Sequence, residues 1–292
     1  MITSIIISNT GKGFDMAQAQ SRAAGEKVAL ITGASGGIGL AAGVALIRAG
    51  YRVFGTSRQA APNEVRQGIH MLRCDVTDDA SVKQLIKDVV GLAGRIDVLV
   101  NNAGRSLIGA AEESSLDQAQ SLFDINVFGI LRTTSEVLPI MRKQGHGQII
   151  NISSVAGFLP GPYTALYNAT KHAVEGYSES LDHELRTFGI RVSLVEPVFT
   201  RTALEENGDK PNRMLSVYDK GRAAMNATWR NGIAAGDPVE AVADKVVQAA
   251  TDKEPSIRYT PGKMAGRLRL MRRYIPEKTF DKSFRKQMGV AD

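Results

Sequence analysis

The chain is short of the residues that most often carry chemistry. It holds one cysteine, Cys74, so no internal disulfide can form and a reducing, cytoplasmic compartment is expected. Its four histidines, His70, His146, His172 and His183, never fall at HExxH or Cys/His ligand spacing, so no metal site is expected. No apolar run approaches the roughly 18 residues that span a bilayer. The opening MITSIIISNTGKGFD has an apolar patch, but no basic stretch precedes it and no small-residue cleavage site follows, which argues against a secretory signal. Its GKG lacks the spacing of a phosphate loop. Residues 1–24 are read as a flexible extension or an over-long start, with Met16 as an alternative initiator. No fixed-period repeat and no long Pro/Gly/Ser linker divides the rest, so residues 25–261 are expected to form one domain.

A formal charge of +6 and a pI near 9.4 raise the question of nucleic acid. The distribution answers it. Residues 262–291 carry nine Lys and Arg against two acids, a local +7, so the remainder of the chain sums to −1. No reading motif or basic face accompanies that segment, and nucleic-acid binding is not expected. Residues 262–292 form a basic tail that mixes Leu268, Leu270, Met271, Tyr274 and Ile275 with its cations. Two readings stay open: weak contact with an anionic membrane surface, or an apolar stripe packed on the body or on a second subunit.

What is present is alternation. Strand-like runs KVALIT, RVFGTS, HMLRCD, DVLVNN, QIINIS, RVSLVE and SIRYT are separated by stretches of 3.6-residue periodicity, among them one long helix over 117–143. This pattern predicts an α/β fold of the Rossmann type: a doubly wound parallel sheet of about seven strands with helices on both faces. Residues 200–236 interrupt it with Met214, Leu215, Tyr218, Met225 and Trp229. That segment is read as a substrate lid, with a packed helical excursion as the alternative.

The first strand runs directly into TGASGGIG, with Gly33, Gly37 and Gly39 opening a helix. Glycines let the backbone turn tightly and approach a pyrophosphate, and the helix N-terminus offers free N–H groups. Farther on, Tyr167 and Lys171 are four residues apart on one predicted helix, so they share a face with their Cβ atoms about 5–6 Å apart. A neighbouring ammonium favours the phenolate. Moving a tyrosine from about 10 toward 7 takes roughly 4 kcal/mol, and the expectation is that Lys171, helped by a cationic nicotinamide and partial burial, lowers the phenol far enough to exchange a proton at neutral pH. Ser154 lies thirteen residues earlier at the end of a predicted strand, in the crevice where such sheets bind ligands.

TGASGGIG, NNAG at Asn101 to Gly104, Ser154 and YNATK at Tyr167 to Lys171 stand in the order and at the separations of the short-chain dehydrogenase/reductase (SDR) family, which residues 26–260 resemble. The resemblance implies that Ser154 holds the substrate oxygen, with Ser153 as its competitor. It implies that Tyr167 transfers the proton, that Lys171 also holds the cofactor ribose, and that Asn126 keeps a relay water beside the lysine. It further implies a cofactor bed of Gly33, Ser35, Gly37, Ile38 and Gly39, then Asp75 and Val76 flanking the adenine, then Asn102, Ala103 and Gly104. In EPVFTRT, Pro197 and Val198 occupy the position of the family's usual Pro-Gly, and the branched Val198 is expected to narrow the nicotinamide pocket. Thr202 fits the carboxamide contact, with Thr200 as the alternative. A homodimer or homotetramer is implied by resemblance alone.

At the end of the second strand, where a carboxylate would bind a ribose 2′-hydroxyl and select NAD, the chain has Ser57 and then Arg58. No acid is there to repel a 2′-phosphate, and a guanidinium is there to grip one. NADP(H) is therefore the expected cofactor, although the other usual basic position is Gly36. The expected activity interconverts a ketone or aldehyde and an alcohol on a hydrophobic substrate, and the tail and strand-two TSR resemble hydroxysteroid- and retinol-type members. A non-catalytic dinucleotide sensor or scaffold, or an isomerase, dehydratase or enoyl reductase on the same fold, are the alternatives.

Overall fold

A computed structural model describes residues 25–202 and 208–288. The N-terminal extension and Met16 lie outside the described residues, as does part of the proposed lid. The strands are β1 (Lys27–Ile31), β2 (Tyr51–Ser57), β3 (Val65–Arg66), β4 (Ile69–Arg73), β5 (Val98–Asn101), β6 (Gly147–Ile152), β7 (Ile190–Val195) and β8 (Arg258–Tyr259). They form one sheet in the order β3-β4-β2-β1-β5-β6-β7-β8. Every pairing is parallel except β3 with β4. All seven expected strands are present, and the eighth, β3, is a two-residue edge that turns back on β4. Two residues are too few to display a period, so this strand left no mark in the sequence pattern.

The sheet divides its side chains between two apolar layers, as a period of two requires. Ala29 and Ile31 of β1 face α1 (Gly37–Arg48) and α7 (Val239–Thr251), together with Leu46, Val53, Val100 and Val246. Val28 and Leu30 face the other way, onto α2 (Asp79–Ala93) and α5 (Ala165–Leu185), with Phe54, Leu85, Leu99, Ile149 and Leu181. Strands covered on both faces are continuously apolar, and this is why Val28 to Ile31 are all buried. Local signals set the helix ends: Asp78 accepts the Ala80 N–H at the start of α2, and Gly94 closes it with φ of 73°.

The expected helix over 117–143 is interrupted. α3 (Leu116–Phe123) runs into a π turn, Asp124–Phe128, before α4 (Gly129–Gln144) begins. Such turns insert one extra residue into the helical ladder and are frequent at functional sites; this one contains Asn126.

The 200–236 excursion contains α6 (Asp219–Ala234). It is pinned to the body by Glu113, fully buried, whose carboxylate accepts the N–H groups of Leu215 and Ala110 at 2.9 Å each and pairs with Arg222. Burial pushes the Glu113 carboxyl up, but those donors and the guanidinium hold it below its ordinary value. The basic tail folds as α8 (Gly262–Tyr274) and α9 (Glu277–Gln287), with Ala265 and Phe280 buried and Leu270, Met271 and Tyr274 exposed. Among the described residues no helix is long and apolar enough to cross a membrane.

Candidate active site

β1 and β5 are neighbours, yet the chain leaves β1 toward β2 and returns to β5 on the other side. A crevice at the carboxyl ends of the strands follows from that reversal. In it lies a cleft of about 850 Å³ whose walls include residues from the glycine turn, from the ends of β2, β4, β5 and β6, and from α5, α6 and α8.

At one end the glycines do two jobs. Gly33 has φ of 68°, a left-handed conformation that needs glycine, and a side chain there would meet the Ala103 backbone at 3.0 Å. A Cβ on Gly39 would strike Asn102 Nδ2 at 2.6 Å, so the helix start is pressed against the end of β5. Gly36 begins α1 with no side-chain cap, which leaves the first N–H groups of the helix for an anion. Asn102 holds the bed together by donating to the carbonyls of Thr32 and Gly33 at 3.0 and 2.9 Å. Ser35, Gly37, Ile38, Ala103 and Gly104 line the cleft beside them.

Farther along, the ends of β2 and β4 bring Ser57, Arg58, Asp75 and Val76 to the cleft. Arg58 is exposed, and Ser57 Oγ accepts the Gln59 N–H at 3.2 Å. The cap of α2 is Asp78, so Asp75 is not that helix's N-terminal residue. Its Oδ1 accepts from the Thr77 N–H and hydroxyl at 3.0 and 2.8 Å. Burial raises the Asp75 carboxyl, but the Thr77 donors outweigh it and the net shift is downward.

Ser154, Tyr167 and Lys171 come together beyond the end of β6. Ser154 lies two residues past β6 and caps the short 3-10 turn Val155–Gly157, its Oγ accepting the Ala156 N–H at 3.1 Å and donating to the Pro197 carbonyl at 3.4 Å. Ser153, its sequence competitor, is buried and donates to Glu175 Oε1 at 2.5 Å. The hydroxyl placed to hydrogen-bond Tyr167 is that of Ser154. Lys171 Nζ donates to the Ile152 carbonyl at 2.8 Å and lies 5.8 Å from the Tyr167 ring centre.

Lys171 by itself does not produce the expected lowering. The Tyr167 phenol is not lowered; burial pushes it up to about 12, against a smaller downward pull from Ser154. Lys171 falls to about 8 because it too is buried, with Glu175 partly restoring its charge. Desolvation outweighs the attraction that one ammonium offers from that distance.

Asn126 and Gly39 do not line the cleft. Asn126 is 1% exposed, and its amide accepts the Arg105 N–H at 2.8 Å while donating to the Arg105 carbonyl at 2.9 Å and the Thr170 hydroxyl at 3.1 Å. Its side chain therefore fixes the strand-five loop to the helix that bears Tyr167 and Lys171. Pro197, Val198, Thr200 and Thr202 do line the cleft. The Thr200 hydroxyl is buried with no hydrogen-bond partner among the described residues. A tight glycine bed, an uncapped helix start and an unpartnered hydroxyl along one cleft fit a dinucleotide.

Beyond Tyr167 the cleft turns apolar. Trp229 stands edge-on to Tyr167 at 6.2 Å and to Phe199 at 5.8 Å, with Leu159 and Met225 nearby on the wall. Sequence reasoning missed the residues contributed by the tail: Met264, Leu268, Phe284 and Met288 also line this end. Their i, i+4 apolar spacing was visible, but nothing in it names the surface that it covers.

A family model described as short chain dehydrogenase matches residues 27–213. The chain is 36% identical over 279 residues to an uncharacterized oxidoreductase, YusZ, of Bacillus subtilis, covering 90% of this chain and 99% of that one. It is 42% identical over 181 residues to a 3-ketodihydrosphingosine reductase of Bacteroides thetaiotaomicron, covering 62% of this chain and 66% of the relative. Among solved structures, a short-chain dehydrogenase/reductase from Burkholderia phymatum in complex with NAD superposes with a TM-score of 0.73 at 26% identity, covering 86% of this chain and 94% of that one. ElxO with NADP bound gives a TM-score of 0.67 at 27% identity, covering 81% and 97%. With a family match over most of the sheet and a relative aligned almost end to end, the chain belongs to the short-chain dehydrogenase family.

Proposed function

We propose that this oxidoreductase uses NADP(H) to interconvert a ketone or aldehyde and an alcohol on a hydrophobic substrate. The carrying observation is that the cleft containing Ser154, Tyr167 and Lys171 ends in Ser57 and Arg58 on the nucleotide side and in Trp229, Leu159 and Phe199 on the other. A guanidinium with no carboxylate at the end of β2 supports a 2′-phosphate. Solved relatives hold either NAD or NADP, so the preference rests on these side chains. The relative named 3-ketodihydrosphingosine reductase is consistent with reduction of a ketone.

Bound nicotinamide supplies or accepts the hydride. The protein handles the proton. A phenol raised to about 12 stays protonated at neutral pH, which is the form needed to donate to a carbonyl oxygen as it gains electron density. Ser154 Oγ, next to the phenol, supplies the second hydrogen bond to that oxygen. Lys171 sits where a positive charge stabilises the phenolate left behind, and its fall to about 8 lets it pass a proton back near neutral pH. The apolar wall excludes water from the exchange.

The test is consumption of NADPH and of NADH over a series of hydrophobic ketones and aldehydes, with Tyr167→Phe as the blank. Faster turnover with NADPH, abolished in the blank, supports the reading. Equal use of both cofactors removes the NADP preference, and saturable NADPH binding with no turnover of any carbonyl favours the sensor instead.

A further inference from the structure

The basic tail is fastened into the body beside the site. Arg269 of α8 reaches in to pair with Glu196, fully buried, donating from Nε to Glu196 Oε2 at 3.0 Å and pairing a second time through Nη2. The same guanidinium lies 3.9 Å from Glu175 Oε2 and 4.4 Å from the centre of the Phe158 ring. Glu196 immediately precedes Pro197, whose carbonyl accepts from Ser154. Glu175 stands one helical turn beyond Lys171 and accepts from Ser153. Arg258 completes the cluster, 3.1 Å from each of the two carboxylates.

This clamp fixes how α8 presents its other side chains. Ala265, one turn before Arg269, is fully buried, and Met264 and Leu268 face the cleft that holds Tyr167 and Trp229. α9 adds Phe284, which stacks on Phe280 at 5.8 Å. The apolar end of the site is thus walled on one side by α6 and on another by helices from the end of the chain. A small carbonyl compound would fill only the part near Ser154 and Tyr167.

We propose that α8 and α9 form the distal wall of the substrate site, latched by Arg269, and that the substrate is an elongated aliphatic carbonyl compound whose tail lies against Met264, Leu268 and Phe284. This rests on the carbonyl-reductase reading above. Arg269 is a positioning residue, since it touches neither reacting atoms nor cofactor.

The experiment measures kcat/KM for 2-butanone, 2-octanone and 2-dodecanone in the full chain and in Leu268→Ala, Arg269→Leu and Arg269→Lys, alongside quenching of Trp229, the only tryptophan, by 1-dodecanol. In the native protein kcat/KM is expected to climb with chain length. In Leu268→Ala the 2-dodecanone to 2-butanone ratio should fall about tenfold, the scale of a lost apolar contact. Arg269→Leu should lower that ratio further, chiefly through KM, with partial recovery in Arg269→Lys. A native profile flat with chain length, or variants that lose all three ketones in parallel, overturns the proposal. Quenching by 1-dodecanol that weakens in Leu268→Ala while no ketone is reduced would uphold the wall and sink the carbonyl-reductase reading.

Discussion

The two halves of the cleft are built by different means. The nucleotide half, around β1, β2, β4 and β5, is made largely of backbone: left-handed Gly33, the close approach of Gly39 to the Gly33 carbonyl, and the uncapped start of α1. The substrate half is made of side chains from segments far apart in the chain, joined by buried charge: Glu113 with Arg222, and Glu196 with Arg269. Backbone approach tolerates almost no change of residue, so it leaves a rigid sequence signature. Ion pairs and apolar contacts tolerate many partners, and they leave almost none.

The sharpest way to probe the junction of the halves is Tyr167→Phe, which removes the transferred proton and keeps the ring against Trp229. Carbonyl reduction should fall by about 10²–10⁴-fold, while NADPH binding, followed by its fluorescence, persists. A mutant that reduces ketones at the native rate would remove Tyr167 from the chemistry.

Breaking the substrate half alone comes next. Glu113→Ala leaves the buried Arg222 guanidinium with the exposed Asp219 as its remaining partner and takes the acceptor from the Ala110 and Leu215 N–H groups, and removing one partner of a buried pair costs about 3–5 kcal/mol. Urea unfolding should record that loss, and substrate KM should rise because α6 loses its anchor. A stability change within error would mean that water already satisfies this pair.

Lys171→Met tests the electrostatics that both halves share. The native ammonium sits at about 8 when folded against 10.5 ordinarily, so burial of its charge opposes folding below pH 8. Between pH 8 and 10.5 the unfolded chain holds a proton that the folded one has lost, and stability rises with pH in that window. The native-minus-mutant stability difference should therefore increase by about 3 kcal/mol from pH 7.5 to 10.5. A difference independent of pH would show that Lys171 keeps its charge when folded.

The mildest intervention concerns the nucleotide half. Ser57→Asp with Arg58→Ala places an acid where a 2′-phosphate would lie, and the NADPH to NADH ratio of kcat/KM should drop by about 10–100-fold, the cost of a lost charge-assisted contact of roughly 1.5–3 kcal/mol. An unmoved ratio would mean that other groups choose the cofactor.

The glycine turn, the seven main strands and the pairing of Tyr167 with Lys171 were legible because each rests on a fixed period or on a backbone conformation that only glycine adopts. The π turn at Asn126 was not: DINVFG falls inside the continuous periodicity read as one helix over 117–143, and only its bonds to Arg105 and Thr170 show why an extra residue is accommodated there. The upward pull of burial on the Tyr167 phenol was not legible either, because periodicity gives the neighbour and not the depth of burial. Packing of the tail on the body was one of the two open readings, but its apolar stripe gave no address on that body.

By itself the sequence determined the alternating fold, the glycine turn after its first strand and the placing of Tyr167 and Lys171 on one helix, since these follow from local geometry and short spacings. Tertiary structure alone decided that Ser153 is turned to Glu175, that burial pulls the phenol upward, and that the last helices line the cleft. Those outcomes depend on desolvation and on contacts between distant segments, such as Arg269 with Glu196, and neither quantity is carried by any stretch of chain short enough to show a pattern.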